Sequence, residues 1–242
     1  MGVRKEYRIL KQWGREAPIQ QRFNFYRLVK WRRFIPWLDW GQLIRLRMIT
    51  QKGYYESYFD GLLKTNGFWL TGDISPGYMT LSADQLRVTR DRLRSKGFDV
   101  KVVFLMRDPV ERLWSGARMR KRNYDAGYIG LSDTEAVRAI IDDPGVTART
   151  RYDKTLKTLD SVFKPHEVFV ALYEEMFTPR EIERLSDFLG VPTDLSMRET
   201  KFNVTEREGT LGPDLIADIR KAYAPVYALC HARFPQTKHL WT

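Results

Sequence analysis

Arg107 and Ser115 are the residues whose types and spacing best suit the binding of an anion in this chain. Arg107 carries a fork of N–H donors, and Ser115 adds a hydroxyl that can rotate to donate to a second oxygen. Asp108, a favoured N-cap residue, and Pro109, a favoured first helical residue, come directly after Arg107. A helix that begins there presents free N–H groups and a partial positive charge, so the pattern predicts a phosphate site.

The element that positions Arg107 is predicted to be a buried strand. Val102–Met106 is an unbroken apolar run with β-branched residues, which is typical of a strand covered on both faces of a parallel sheet. The helix after Pro109 should bury a face at positions i, i+3, i+4 and i+7, which are Val110, Leu113, Trp114 and Ala117. An ordinary strand–helix junction with a solvated arginine is the alternative interpretation.

Strands that alternate with capped helices indicate the fold class. Residues 82–85 and 132–135 have capping-box sequences, and residues 178–181 combine a Thr cap with a Pro and a Glu. Strands are predicted at residues 68–74 and at Val168–Leu172. The pattern predicts an α/β fold in three layers, with a mainly parallel sheet flanked by helices. A single domain over residues 1–242 is expected, with a basic and aromatic helical insertion at about residues 16–50.

Composition limits the partners. Lys plus Arg number 41 against 30 Asp plus Glu, a net charge of +11, which favours an anionic partner. With Cys230 as the one cysteine, no intramolecular disulfide can form, and the three histidines lack metal-ligand spacing, so no metal is expected. No apolar run approaches the roughly 20 residues of a membrane span, and the N-terminus lacks the apolar core of a signal peptide. We therefore expect a soluble, cytoplasmic protein.

The Arg-Asp-Pro run at residues 107–109, followed by Arg112 and Ser115, resembles a segment of the sulfotransferases. These enzymes use 3′-phosphoadenosine 5′-phosphosulfate (PAPS) as the sulfuryl donor. The resemblance implies that Arg107 and Ser115 bind the 3′-phosphate of this nucleotide, and that the fold is the sulfotransferase version of the nucleotide-kinase-like fold. It also implies a reaction without a metal, because sulfuryl transfer can proceed through positioning and cationic stabilisation.

Lys5 and Glu6, followed by Tyr7, look like the Lys-Glu-aromatic segment of carbohydrate-directed sulfotransferases. The resemblance implies a catalytic Lys5–Glu6 pair in which Glu6 is the general base on an acceptor hydroxyl. A base is needed because the hydroxyl loses its proton as it attacks sulfur. The acceptor is then a hydroxyl or amine, expected on a carbohydrate. A solvated, charged strand near a terminus explains the same residues.

Two features of the family pattern are not seen in the sequence. No strand and Gly-rich loop with Lys and Ser/Thr, which would bind the 5′-phosphosulfate, occurs between Met1 and Lys5 or elsewhere. Ile74 also stands where the family often has a lysine. We therefore expect a sulfotransferase that, as given, lacks its first strand and phosphosulfate loop; a truncated or inactive chain is the alternative to a working enzyme. Truncation, a misplaced start codon or a degenerate copy would each explain this.

Residues 22–47 support a second hypothesis from a different class. They interleave aromatic residues with arginines and a lysine, a composition that suits stacking and charge on a polymer. The alternative function is a non-catalytic binding module for an acidic polymer, either a glycan or a nucleic acid, of which nucleic acid is the less expected. The structural alternative is a helical segment whose aromatic residues pack on the core and whose arginines are exposed to solvent. A nucleotide-kinase-like phosphotransferase is disfavoured because no phosphate loop is seen.

Overall fold

The structure, a computed structural model, describes residues 40–123, 127–196 and 209–242. In these ranges the chain forms eleven α-helices and two short strands. The elements in chain order are α1 (Trp40–Thr50), α2 (Tyr54–Asn66), α3 (Ala83–Arg94), β1 (Val102–Met106), α4 (Pro109–Arg122), α5 (Asp133–Ile140), α6 (Pro144–Ala148), α7 (Tyr152–Val162), β2 (Val168–Leu172), α8 (Pro179–Leu189), α9 (Pro213–Ala222), α10 (Ala224–Arg233) and α11 (Thr237–Leu240). Short 3₁₀ turns lie at Tyr78–Thr80 and Pro165–Glu167.

The strands β1 and β2 pair in parallel, first residue opposite first residue. On one face of this pair the Phe104 ring contacts Tyr152 of α7, with ring centroids 5.8 Å apart. Phe169 points to the opposite face because side chains alternate along a strand, and its ring lies 5.4 Å from that of Phe188 in α8. Helices therefore lie on both faces, and the predicted α/β class with a parallel sheet is confirmed.

The two compact units into which the described residues cluster each have their own packing. The first consists of residues 40–74 and 90–99, and in it Phe59 is buried and Arg92 Nε lies 3.7 Å from Glu56 Oε1. The second consists of residues 75–89 and the described residues from 100 onwards, and it contains the sheet and the largest apolar cluster. A single domain over residues 1–242 with an insertion at 16–50 stays a prediction, since residues 1–39 lie outside the described ranges.

The core of the second unit follows the predicted pattern of α4. The predicted face of this helix is buried at every position, namely at Val110, Leu113, Trp114 and Ala117. The core also contains side chains from α5, α7, α9 and α10, including Ile140, Tyr152, Ile219 and Val226. Since its side chains lock α4 against these helices, Arg107, which directly follows β1 and stands two residues before α4, has a defined position.

The predicted burial of β1 on both faces is wrong. Val103 is 46% exposed and Leu105 is 41% exposed, whereas Phe104 and Met106 between and after them are buried. The exposed face is the one on which α8 packs, and α8 covers β2, where Phe169 is only 3% exposed. An apolar run shows that a segment suits a buried strand, but the tertiary cover of each face decides its exposure.

The predicted strand at residues 68–74 is also wrong. This segment has no regular secondary structure, and Trp69 and Ile74 are 64% and 99% exposed. A strand needs a neighbour to receive its backbone hydrogen bonds, and within the described residues β1 and β2 pair only with each other. Among the described helices, none combines the length and the apolar character that crossing a membrane requires.

Candidate functional site

A cavity of about 700 Å³ lies in the second unit, where β1 and β2 end. The residues that directly follow the two strands contribute to its wall, as does the helix α9. Its charged and aromatic lining includes Arg107, Arg220, Asp108, Glu111, Glu174 and Tyr173. Ligands of α/β proteins bind at the carboxyl ends of parallel strands, so this is the candidate site.

Arg107 projects into this cavity from the end of β1, with its guanidinium held on two sides. Its Nη2 donates at 2.9 Å to Oε2 of Glu111, which lies in the first turn of α4. Its guanidinium carbon lies 4.7 Å from the centre of the Tyr173 ring, within range of a cation–π contact. The Nε atom is buried and has no hydrogen-bond partner among the described residues. A buried donor without an acceptor is costly, so an oxygen of a bound anion would stabilise this side chain.

The prediction of free N–H groups at the start of α4 fails for two of these groups, which have acceptors in the structure. The Asp108 N–H donates to Glu174 Oε1 at 2.9 Å, and the Val110 N–H donates to Asp108 Oδ1 at 3.3 Å. Pro109 between them has no N–H to offer. The N-cap side chain and the carboxylate of Glu174, just after β2, therefore occupy these two donors.

Asp108 links the start of α4 to α10 by a buried hydrogen bond. The Tyr227 hydroxyl donates to Asp108 Oδ1 at 2.5 Å, and both residues are buried. Burial raises the pKa of the Asp108 carboxyl above its ordinary value; the hydrogen bonds from Tyr227 and Val110 oppose this, and the nearby Glu111 and Glu174 add to it. Burial also raises the pKa of Tyr227, so its hydroxyl keeps its proton and remains the donor.

Ser115 does not line the cavity, although it belongs to α4 and is half-buried there. Trp114, the residue before it, does line the cavity, and consecutive residues of a helix project in different directions. Arg112, the other motif residue, donates from Nη1 to the buried Thr150 Oγ1 at 2.8 Å. The structure thus places Arg107 in the cavity wall and leaves Ser115 outside it, and a joint phosphate site remains a prediction.

Lys5 and Glu6, the predicted catalytic pair, lie outside the described residues, and their roles stay predictions. Within the described ranges, no group of three or more His, Cys, Asp and Glu side chains is arranged to hold a metal ion.

Arg220 is a basic residue of the cavity wall that the sequence did not indicate. It belongs to α9, whose apolar positions Leu215 and Ile219 are buried, and it was not part of any motif. The helical period does predict that Arg220 is exposed beside the buried Ile219. The period contains no information on which cavity this exposed face meets, because that depends on where α9 packs.

The comparisons with known proteins bear on this geometry. A family model described as a sulfotransferase domain matches residues 27–211, about three quarters of the chain. The match includes Arg107 and Ser115 and ends before Arg220. Searches of curated proteins and of solved structures gave no match.

Proposed function

The chain belongs to the sulfotransferase family, and we propose that it transfers a sulfuryl group from PAPS to a hydroxyl or amine. The acceptor we propose is a carbohydrate, on the resemblance of Lys5, Glu6 and Tyr7 to the segment of carbohydrate-directed relatives. We also propose that the chain is one sulfotransferase domain with a helical insertion at about residues 16–50. The family membership supports sulfuryl transfer as the class of reaction, and the identities of the donor and the acceptor are what we propose.

The observation that carries this proposal is the position of Arg107. By resemblance, this residue matches the arginine that binds the 3′-phosphate in the family, and it lines a cavity of about 700 Å³ at the carboxyl end of β1. Its buried Nε lacks an acceptor among the described residues, as expected of a side chain that receives an anionic oxygen. We propose that Arg107 binds the 3′-phosphate, with Ser115 as the second, family-implied contact.

The chemistry assigned to the chain's own residues is positioning and proton removal. When bound, PAPS supplies the sulfuryl group, and its bond from sulfur to the 5′-phosphate oxygen breaks as the acceptor oxygen or nitrogen bonds to sulfur. Glu6, in the pair with Lys5, would take the proton that the acceptor loses. Arg107 would hold the nucleotide so that the attack is in line, which lowers the entropic part of the barrier.

The test compares two nucleotides that differ by the 3′-phosphate. Adenosine 3′,5′-bisphosphate should bind more tightly than adenosine 5′-phosphate by about tenfold or more, since a charge-assisted arginine–phosphate contact is worth roughly 1.5–3 kcal/mol. Arg107→Ala should remove this difference, as measured by titration calorimetry. Arg138→Ala is the matched control, because Arg138 is an exposed arginine of the same unit that does not line the cavity.

Equal binding of the two nucleotides by the natural chain would contradict the proposal. So would an Arg107→Ala variant that keeps the full difference. Formation of adenosine 3′,5′-bisphosphate from PAPS in the presence of a carbohydrate acceptor is the corresponding activity measurement, and it should depend on Arg107 in the same way.

A further inference from the structure

The charges that line the cavity raise a question about how it binds an anion. Arg107 and Arg220 face Asp108, Glu111 and Glu174. Arg107 is already paired with Glu111 at 2.9 Å, so much of its positive charge is compensated. A phosphate that approached Arg107 alone would meet a wall in which acidic side chains outnumber the basic one. Tight binding of an anion in this cavity therefore requires a second cation whose charge its neighbours do not compensate.

Arg220 has the properties of that cation. It is exposed, it lines the cavity, and its side chain makes no hydrogen bond or ion pair with the described residues. Its charge acts on Tyr227: burial raises the pKa of this residue, and the positive charge of Arg220 opposes the rise. Arg220 therefore lies near enough to Tyr227, the hydrogen-bond partner of Asp108, for its charge to act on it.

The position of Arg220 is set by a packed helix. Leu215 and Ile219 of α9 are 2% and 0% exposed, so the helix is anchored directly beside Arg220. Lys221, the next residue, is also exposed and basic, but it does not line the cavity. The same helix thus offers one cation inside the cavity wall and one outside it.

We propose that Arg220 is a second anion-binding residue of this cavity. Arg107 holds the 3′-phosphate of the donor nucleotide, and Arg220 binds the other anionic group, at the 5′ position. This inference rests on the proposed function, and it specifies the ligand class as a nucleotide with two separated anionic groups. A cavity of about 700 Å³ lies within the range of small-molecule sites. Arg220 lies beyond the matched residues 27–211, so the family match does not assign it.

The experiment measures the binding of adenosine 3′,5′-bisphosphate and adenosine 5′-phosphate to the natural chain, Arg220→Ala and Lys221→Ala. Arg220→Ala should weaken the binding of both nucleotides by about tenfold, since both carry a 5′-phosphate, the group that we assign to Arg220. In Arg220→Ala the ratio of the two affinities should stay as in the natural chain, whereas in Arg107→Ala the two affinities should become equal. Lys221→Ala should leave both affinities within about twofold, because it removes the same charge from the same helix outside the cavity.

Two results would overturn the inference while leaving the proposed function intact. One is an Arg220→Ala variant that binds both nucleotides as tightly as Lys221→Ala. The other is an Arg220→Ala variant that loses the difference between the nucleotides, since Arg220 would then bind the same phosphate as Arg107. Arg220→Lys should recover part of the affinity in a folded protein, and circular dichroism of each variant checks that the fold is retained.

If the natural chain binds neither nucleotide, the proposed function fails, and inorganic pyrophosphate then tests Arg220 by itself. Pyrophosphate binding that Arg220→Ala weakens and Lys221→Ala does not would support an anion site at Arg220 without the nucleotide. No pyrophosphate binding to the natural chain, or equal binding to both variants, would overturn the inference as well.

Discussion

The two strand–helix junctions of the sheet use the same local signals in different surroundings. After β1, Asp108 caps α4 and accepts from the Val110 N–H at 3.3 Å; after β2, Thr178 caps α8 and accepts from the Glu181 N–H, also at 3.3 Å. Both helices have proline at the first helical position. The β1 junction takes two residues and its cap is buried, whereas the β2 junction takes six residues and its cap is exposed.

The further hydrogen bonds of the two caps differ in reach. Asp108 also accepts from Tyr227, 119 positions away, and its own N–H donates to Glu174, 66 positions away. The Thr178 hydroxyl donates to the Glu175 carbonyl, three residues back. The Asp108 cap is thus also a tertiary contact within the candidate site, whereas the Thr178 cap is a local contact at the start of α8. We therefore predict that these two cap hydrogen bonds, although equal in length, contribute very unequally to the free energy of unfolding.

The largest effect is expected from Asp108→Ala. This change leaves the Val110 N–H and the buried Tyr227 hydroxyl without their acceptor, so the free energy of unfolding should fall by about 2–4 kcal/mol. Urea denaturation at neutral pH measures this loss. Asp108→Asn keeps an acceptor oxygen at Oδ1 and should lose less than half as much. A loss from Asp108→Ala below about 0.5 kcal/mol would remove the contrast between the junctions.

Tyr227→Phe should give the next largest effect, and one that depends on pH. Burial raises the pKa of Asp108 in the folded chain, so its favourable contribution is complete below the unfolded pKa and is lost as pH rises through the folded value. Without the Tyr227 hydroxyl the folded pKa of Asp108 rises further, because the hydrogen bond that lowers it is gone. The variant should therefore lose about 1–2 kcal/mol near pH 7 and less near pH 4.

Tyr223→Phe is the matched control for this pH series. The Tyr223 hydroxyl is buried in the same unit, and no described residue pairs with it, so its removal should cost little at either pH. Denaturation curves of both variants at pH 4 and pH 7 separate the two cases. A loss from Tyr227→Phe that is the same at both pH values would show that Asp108 ionisation is not coupled to this hydrogen bond.

The smallest effect is expected from Thr178→Ala. The cap is exposed, and water can hydrogen-bond the Glu181 N–H when the hydroxyl is removed, so the loss should be about 0.5–1 kcal/mol and independent of pH. The same denaturation measurement applies. If Thr178→Ala destabilised the chain as much as Asp108→Ala, the burial of the first cap would not be the source of its importance.

Local patterns predicted much of the fold. The strands β1 and β2, the cap residues Asp108 and Thr178, and the buried face of α4 were all confirmed. Each depends on residues within one or two helical turns, where capping geometry and apolar spacing act directly. The strand at residues 68–74 was not formed, since a strand also depends on a neighbour that its own residues do not specify.

The candidate site was predictable only in part, for the same reason. The motif indicated Arg107, which does line the cavity, but its spacing also suggested Ser115, which does not. Nothing local indicated that Glu174 would occupy the Asp108 N–H, or that Arg220 would share the cavity with Arg107. These contacts join separate elements, and their existence depends on how α4, β2 and α9 pack.

By itself the sequence determined the α/β class, the family and the position of Arg107 at the end of a strand, because these follow from short apolar runs, caps and a motif. The tertiary structure alone decided the electrostatics of the site. It brought Glu174 and Tyr227 to Asp108 and placed Arg220 in the wall of the cavity. Residues this far apart in the chain meet only after the helices have packed, so their mutual charges and hydrogen bonds are properties of the fold.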